Sequence, residues 1–388
     1  MKKKVVAFVA LMLASLMIFS LGAKLARADQ GIYEKSPEIN AKSYLLTDFD
    51  GTTEIASSNK TERLPIASMV KIMTLDLVFE KIEKGQISLG DDVTVSENAA
   101  AMGGSQAFLG ANLTYKAEEL IKSVIVASAN DSCVALAEHC AGSAESFVSL
   151  MNQKARELGM TNTNFVNCTG LPAPGGYSCA EDVAKMTRDL LTHNRFFNYS
   201  QTWMYDFIHP DGRKTTLTNT NKLSRFYIGC DGGKTGFTKE AGSCLSATAK
   251  RDDTRLICVV IGAPTSKDRN AEVSKLFNYG FANYSTSVVL SEQDAEKLTV
   301  NVNNGKTDSI SCKINKPLAY FGKRTATKDA EVKFVPEIVF APVKEGDRVG
   351  RAEAYADGKL VASIDVFAAE NVEKRDITDV IRDIAARW

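Results

Sequence analysis

Between Pro65 and Gly85 the chain runs for five turns without a helix breaker, which predicts a helix over Ile66–Lys84. Its apolar residues Met69, Val70, Ile72, Met73, Leu75, Leu77, Val78, Phe79 and Ile82 fall on every side of that helix. A helix that is apolar all round has no solvent face and has to be buried. The rest of the chain must therefore supply a thick, layered cover. With 388 residues, of which 44% are hydrophobic and 24% charged, it has the material to do so. That composition is globular and excludes a disordered chain, collagen or a coiled coil. Lys71 lies inside this apolar helix, three residues after Ser68, and becomes the residue to explain.

Charge divides the sequence in two. Lysine and arginine balance aspartate and glutamate at 47 each, so no basic footprint for nucleic acid exists. The first 28 residues hold only positive charges, at Lys2, Lys3, Lys4, Lys24 and Arg27; the remainder carries 42 basic against 47 acidic groups. A basic start, an apolar run over Val5–Ala23 and the small-x-small tripeptide Ala26-Arg27-Ala28 form a signal peptide over residues 1–28, with Asp29 the first mature residue. The bland alternative is an uncleaved N-terminal anchor. Either way the body of the protein is expected outside the cytoplasmic membrane. Export and eight cysteines invite disulfides. Cys133 and Cys140 are too far apart on one helix, and Cys168 with Cys179 is the only local pair worth considering. With no Cys-x-x-Cys and three histidines, a zinc site is not expected, and the thiols read as small buried apolar groups.

Turn and period signals outline the architecture. A hairpin turns at Asp50-Gly51, and helices are predicted over Lys116–Ser128 (with Thr114 as cap), Ser132–Cys140, Glu145–Leu158 and Ala180–Leu191. Strands follow over Thr215–Thr220, Phe226–Gly236, Ser243–Ala249 and Leu256–Gly262, then a helix over Asn270–Tyr284. Strands at both ends with helices between them predict one α+β domain over residues 29–284, an antiparallel sheet flanked by helices. Short alternating strands with turns at Asn304-Gly305 and Asp357-Gly358 predict a small all-β domain over 285–370. In residues 371–388, Ile377, Val380, Ile381, Ile384, Ala385 and Trp388 form an apolar stripe, so a terminal amphipathic helix is expected. It would lie on a membrane surface or pack on protein; its nearly cancelling charges weaken attraction to lipid.

Several chemistries are missing. There is no Gly-x-Ser-x-Gly elbow, no His-Glu-x-x-His and no dinucleotide fingerprint, and no histidine stands beside an obvious nucleophile. Gly229-Cys-Asp-Gly-Gly-Lys-Thr imitates a phosphate loop, but the required first glycine is Ile228 and both flanks read as strand. What remains is a serine served by a lysine. Ser68 and Lys71 share one helix face about 5–6 Å apart. Burial disfavours an ammonium, so Lys71 can act as a neutral base, and the helix N-terminus favours negative charge at Ser68. Ser57-Ser58-Asn59-Lys60 has the same spacing but sits in a polar turn, where its lysine stays protonated. Ser128-Ala129-Asn130 lies between two helices, where it either caps the second helix or presents two side chains to a cleft. Lys234-Thr235-Gly236 lies on a strand, where a glycine opens backbone N–H groups to a ligand; otherwise Lys234 is a solvated hairpin-end residue. The three in this order are the mark of penicillin-binding proteins and class A β-lactamases, with Ala129 here in place of Asp.

Together with Phe165-Val-Asn-Cys-Thr-Gly-Leu and Asp231-Gly-Gly-Lys-Thr-Gly-Phe-Thr, these motifs make the sequence resemble the low-molecular-mass penicillin-binding proteins, serine-type D-alanyl-D-alanine carboxypeptidases. The resemblance implies a penicillin-binding/β-lactamase-like catalytic domain, a β-rich second domain and often a C-terminal membrane anchor. It implies that Ser68 attacks the bond between the two terminal D-alanines of a peptidoglycan stem peptide while Lys71 takes its proton. Ser128 and Lys234 would relay a proton to the departing D-alanine and Asn130 would hold the peptide amide. The N–H groups of Ser68 and Phe237, next to Gly236, would form an oxyanion hole, and Thr235 would bind the terminal carboxylate. Arg269 sits where the family often has an assisting arginine, although a surface arginine explains it almost as well. Water would then release the acyl group, with no metal or cofactor, and β-lactams would act as covalent inhibitors. Departures are Gly176-Tyr-Ser-Cys-Ala in place of His-x-Ser-Thr-Ala, and Met69 and Val70 between serine and lysine. Two other readings compete. A secreted β-lactamase leaves the second domain and terminal helix unexplained, and a non-catalytic cell-wall-binding homologue would keep the fold without the chemistry.

Overall fold

The structure is a computed structural model and describes residues 35–325, 330–379 and 381. The expected signal peptide lies outside the described residues, as does most of the expected terminal helix; within 371–388 only Ile377–Asp379 and Ile381 are described as helical.

The first domain is built on a five-stranded antiparallel sheet of β1 (Ser43–Asp48), β2 (Glu54–Ser58), β3 (Cys230–Thr238), β4 (Gly242–Arg251) and β5 (Thr254–Ala263). Its spatial order is β2-β1-β5-β4-β3, so the two ends of the domain's sequence meet at β1–β5. Period-two alternation in β5 loads both faces. Leu256, Cys258 and Val260 pack with Leu46, Leu276 and Phe277, whereas Ile257, Val259 and Ile261 pack with the helical layer. That layer comprises α1 (Lys71–Glu83), α2 (Ala117–Ala127), α3 (Asn130–Ala141), α4 (Ala144–Glu157) and α5 (Ala180–Leu190). The opposite face is covered by α6 (Ser266–Asn283).

The apolar helix is central, as its sequence requires: every residue from Lys71 to Phe79 is buried. It differs from expectation at its start. Ala67–Val70 forms a 3-10 turn, with Ala67 in the left-handed region at φ 48°, before the α-helix begins at Lys71. Asp76 is also buried on α1, where Lys154 of α4 lies 3.9 Å and His193 3.3 Å away. His193 bridges on to Glu83 at 2.9 Å, which ties the far half of α1 to its neighbours.

Other boundaries shift for local reasons. Thr114 belongs to a short strand, Thr114–Lys116, so it does not cap α2. Phe226 ends a one-turn helix, Leu223–Phe226, and the strand after it begins only at Cys230. No disulfide forms among the described residues, and Cys168 is not bridged to Cys179. Cys179 instead caps α5 through the Asp182 N–H, and Cys133 Sγ lies 3.1 Å from the Cys168 carbonyl.

The second domain has its own apolar core, including Val300, Val302, Ile310, Cys312, Val349 and Val366. Its strands are β6 (Tyr284–Leu290), β7 (Thr299–Asn303), β8 (Ser309–Lys313), β9 (Leu318–Lys323), β10 (Glu331–Pro336), β11 (Val339–Phe340), β12 (Arg348–Ala356) and β13 (Lys359–Ala368). Six of them form a sheet in the order β10-β12-β13-β8-β7-β11, and β6 pairs with β9. The turns at Asn304-Gly305 and Asp357-Gly358 are where the sequence places them, with Asn304 and Asp357 at positive φ.

Phe79 is fully buried in the middle of α1. Truncating it (Phe79→Ala) is expected to lower the free energy of unfolding of this domain by about 3–5 kcal/mol in a urea titration followed by far-UV circular dichroism.

Candidate active site

Ser68 is placed by two close backbone approaches. Gly170, at φ 78°, lies against the Ala67 carbonyl, and an added Cβ there would collide with that group and reach 2.9 Å from Ser68 N. Gly236 on β3 approaches from the other side; a Cβ on it would stand 2.7 Å from Ile66 O and 3.0 Å from Ser68 N. Only a hydrogen side chain fits either position. The strained left-handed Ala67 is thus clamped between a loop and a strand edge, and Ser68 is held at the lip of a cleft.

Beneath Ser68, Lys71 is fully buried. Its Nζ lies 2.9 Å from Ser68 Oγ, 2.6 Å from Asn130 Oδ1 and 2.7 Å from the Thr169 carbonyl. All three partners are neutral oxygens, and only two of them, the amide and the carbonyl, are acceptors alone. An ammonium donates to all three; once uncharged, the amine keeps its donation to Asn130 and Thr169 and turns its lone pair to the Ser68 hydroxyl. Burial pushes the Lys71 amine down to about 8, with Cys133, Cys168 and Asp131 nearby pulling weakly the other way.

Ser128 and Asn130 come from the α2–α3 junction. Ser128 takes the left-handed conformation that ends α2, at φ 64°, and its buried hydroxyl has no partner among the described residues. That geometry turns the hydroxyl into the cleft instead of onto the next helix, and no side chain caps α3. Asn130 donates from Nδ2 to Gly103 O at 2.6 Å while its Oδ1 accepts from Lys71. Asp131 steadies the facing loop by accepting the N–H groups of Ala107 and Leu109.

From β3, Lys234 is buried, and its pKa is pushed well down, chiefly by burial and further by the neighbouring Lys71 and Arg269 side chains. Its Nζ donates to Thr235 O at 3.0 Å, and Thr235 Oγ1 donates to Thr220 Oγ1 at 2.8 Å. Lys234 is therefore not a solvated hairpin-end residue. Phe237 is exposed at the cleft mouth. Arg269 is only 5% exposed, so it is not a surface arginine. Its guanidinium donates to Asn270 Oδ1, and burial lowers its pKa to about 10.

One cleft of about 520 Å³ takes in Ser68, Ser128, Thr235, Gly236, Phe237 and Arg269. Lys71, Asn130 and Lys234 are buried behind the lining, Lys71 bonded to Ser68 and Asn130 and Lys234 to the Thr235 carbonyl, so all nine residues singled out in the sequence converge. Lys222 and Lys267 also line the cleft, and no carboxylate does, so it suits an anionic group. Sequence reasoning missed these two lysines, Thr220 and Ser105, which carry no motif. It also gave no role to Thr169 and Gly170, although Asn167 signals their turn: its Oδ1 accepts the N–H groups of both. The rival Ser57–Lys60 pair is elsewhere, with Ser57 bonded to Glu54 and a half-buried Lys60 paired with Glu54 and Glu181.

With this geometry in place, comparison with known proteins is decisive. The profile of the D-alanyl-D-alanine carboxypeptidase family matches residues 30–265, and that of the penicillin-binding protein 5 C-terminal domain matches residues 284–374. The chain belongs to the D-alanyl-D-alanine carboxypeptidase family. It is 38% identical to the D-alanyl-D-alanine carboxypeptidase DacF of Bacillus subtilis, over 90% of each chain. It is 33% identical to DacC of Escherichia coli, over 88% of this chain and 86% of that one. Among solved structures, penicillin binding protein 5 of Haemophilus influenzae superposes with a TM-score of 0.72 at 30% identity, covering 88% of this chain and all of that one.

The clamp on Ser68 yields a test. Gly170→Ala adds a collision and forces alanine into the left-handed region. It is expected to slow covalent labelling by fluorescent penicillin at least about 100-fold while the circular dichroism spectrum stays native, because displacing the serine by about 1 Å costs that much.

Proposed function

We propose that Ser68 is the nucleophile of a carboxypeptidase that hydrolyses the terminal D-Ala-D-Ala bond of peptidoglycan stem pentapeptides, releasing D-alanine through an acyl-enzyme. The observation that carries this reading is the buried Lys71 Nζ, 2.9 Å from Ser68 Oγ and with its pKa lowered to about 8. Near pH 7.5 about a quarter of such an amine is uncharged, against about a thousandth at the usual lysine pKa. Lys71 takes the hydroxyl proton as Ser68 attacks the carbonyl carbon. The N–H groups of Ser68 and Phe237 receive the oxyanion, an interaction typically worth about 3–4 kcal/mol of barrier.

The remaining roles follow from position in the cleft. Ser128, with its unpartnered hydroxyl, and Lys234, with its depressed pKa, relay a proton to the departing D-alanine nitrogen. Asn130, already bonded to Lys71, orients the substrate amide. Thr235 and Arg269 hold the terminal carboxylate in a cleft wall that is entirely cationic among its charged residues. Water then attacks the ester and frees the enzyme. Penicillin acylates the same serine, because its strained amide and carboxylate take the places of the peptide bond and terminus.

The domain limits also belong to this reading: a signal peptide over 1–28, a catalytic domain over 29–284, a β-rich domain over 285–370 and a terminal helix over 371–388. Export to the outer face of the cytoplasmic membrane fits both a cell-wall substrate and the leader read from the sequence. The exposed Ile377 and Ile381 support contact of the C-terminal segment with the membrane surface. No helix among the described residues is long and apolar enough to cross a membrane.

Mass spectrometry of the intact protein after fluorescent penicillin tests the assignment. One stable adduct is expected for wild type and for Ser57→Ala, and none for Ser68→Ala. An adduct on Ser68→Ala would overturn it, and rapid loss of the wild-type adduct with turnover of penicillin would indicate a β-lactamase.

A further inference from the structure

Two thiols stand behind the catalytic lysine and take no part in the mechanism. Cys133 belongs to α3, one turn beyond Asn130, and Cys168 to the turn at 167–170 whose Gly170 clamps Ser68. Both are buried. The Cys133 thiol donates to the Cys168 carbonyl at 3.1 Å, and the Cys168 thiol is close enough to hydrogen bond to Cys133 Sγ. The turn that carries Cys168 also makes three contacts of the active site. Thr169 O accepts from Lys71 Nζ at 2.7 Å, Gly170 lies against the Ala67 carbonyl, and Cys168 O accepts from Thr74 Oγ1 of α1 at 2.8 Å. Residues 171–175, just beyond it, are exposed, so local opening of this loop admits a small reagent to the pair.

The two thiols are not equivalent. Burial opposes ionisation of Cys133, but the hydrogen bond from Cys168 and the nearby Lys71 outweigh it and draw its pKa below the ordinary thiol value. The bond to Cys133 and burial push Cys168 up, so that thiol stays protonated. One is suited to attack and the other to resolve. We propose that Cys133 and Cys168 are a redox pair whose oxidation to a disulfide switches the active site off. The oxidant is a second disulfide. Cys133 thiolate attacks one of its sulfurs and expels the other as a thiolate; Cys168 sulfur then attacks Cys133 Sγ, breaks the mixed disulfide and releases the second thiol. Two thiols are oxidised, one reagent disulfide is reduced, and the protons leave on the two released thiols. The new bond brings the sulfurs to about 2 Å. It removes the Cys133 donation to the Cys168 carbonyl and draws the 167–170 turn toward α3, which shifts Thr169 O against Lys71 and Gly170 against Ala67. The effect on activity rests on the carboxypeptidase reading, because it is read at Ser68; the disulfide itself does not.

The test incubates the full mature protein with hydroxyethyl disulfide and caps the remaining thiols before peptide mapping. A peptide pair joined through Cys133 and Cys168 is expected. Fluorescent penicillin should then label the protein at least about tenfold more slowly, since a displacement of about 1 Å costs up to about 100-fold, and dithiothreitol should restore the rate. Cys133→Ala should keep its own labelling rate in the oxidant, whereas Cys168→Ala should stop at the mixed disulfide, its mass raised by one hydroxyethylthio group. Each variant is compared with and without oxidant, so a change in its folding does not blur the result. Failure of the Cys133–Cys168 link to form, a link that leaves labelling unchanged, or a loss that persists in Cys133→Ala would overturn the switch while leaving the carboxypeptidase intact. Absence of labelling in the reduced protein would remove the carboxypeptidase reading, and the peptide map would still decide the pair.

Discussion

The contact between a buried amine and a hydroxyl, Lys71 Nζ against Ser68 Oγ, is what the rest of the structure is arranged around. A lysine in water is a poor base at neutral pH because it is already protonated. Enclosing it removes the hydration that stabilises the ammonium, and the lowering to about 8 corresponds to about 3 kcal/mol of differential stabilisation. That condition demands a helix without a solvent face. The all-round apolar character of α1 is thus a requirement of the chemistry as much as of the fold. The two polar partners of Lys71, Asn130 and the Thr169 carbonyl, bring no negative charge that would restore its proton.

Around that contact, the architecture is a set of backbone approaches. Ser68 sits on a turn whose geometry is enforced by Gly170 on one side and Gly236 on the other. Because β3 is the edge strand of the sheet, its other side is free of a neighbouring strand and open to the cleft. The α2–α3 junction breaks at Ser128 in a left-handed residue, which leaves one buried hydroxyl unsatisfied. A buried polar atom without a partner is costly in a purely structural role, and it is intelligible where a substrate supplies the bond.

Much of this was legible in the sequence because the decisive residues advertise themselves through period and spacing. The apolar run around Lys71 gave burial, the Ser68–Lys71 interval gave a shared face, and period-two strands with Asn-Gly and Asp-Gly turns outlined the second domain. Other features had no local signature. The left-handed Ala67 and the start of the α-helix only at Lys71 come from tertiary clamping by Gly170, which is remote in sequence. Arg269 reads as an ordinary charged residue at the start of a helix, and only the packing of α6 buries it. Cys168 looked like a partner for nearby Cys179, yet folding carries it to Cys133 on another element. Lys222 and Lys267 belong to no pattern and acquire meaning only from the walls they line.

The charge state of one amine decides the account most directly. Protein labelled with ¹³C at lysine Cε and titrated by NMR would show one resonance absent from Lys71→Arg. A midpoint for that resonance near 8 is what this account predicts. A midpoint at or above the ordinary lysine value of about 10.5 would leave Lys71 almost without an uncharged fraction at neutral pH, and would contradict it.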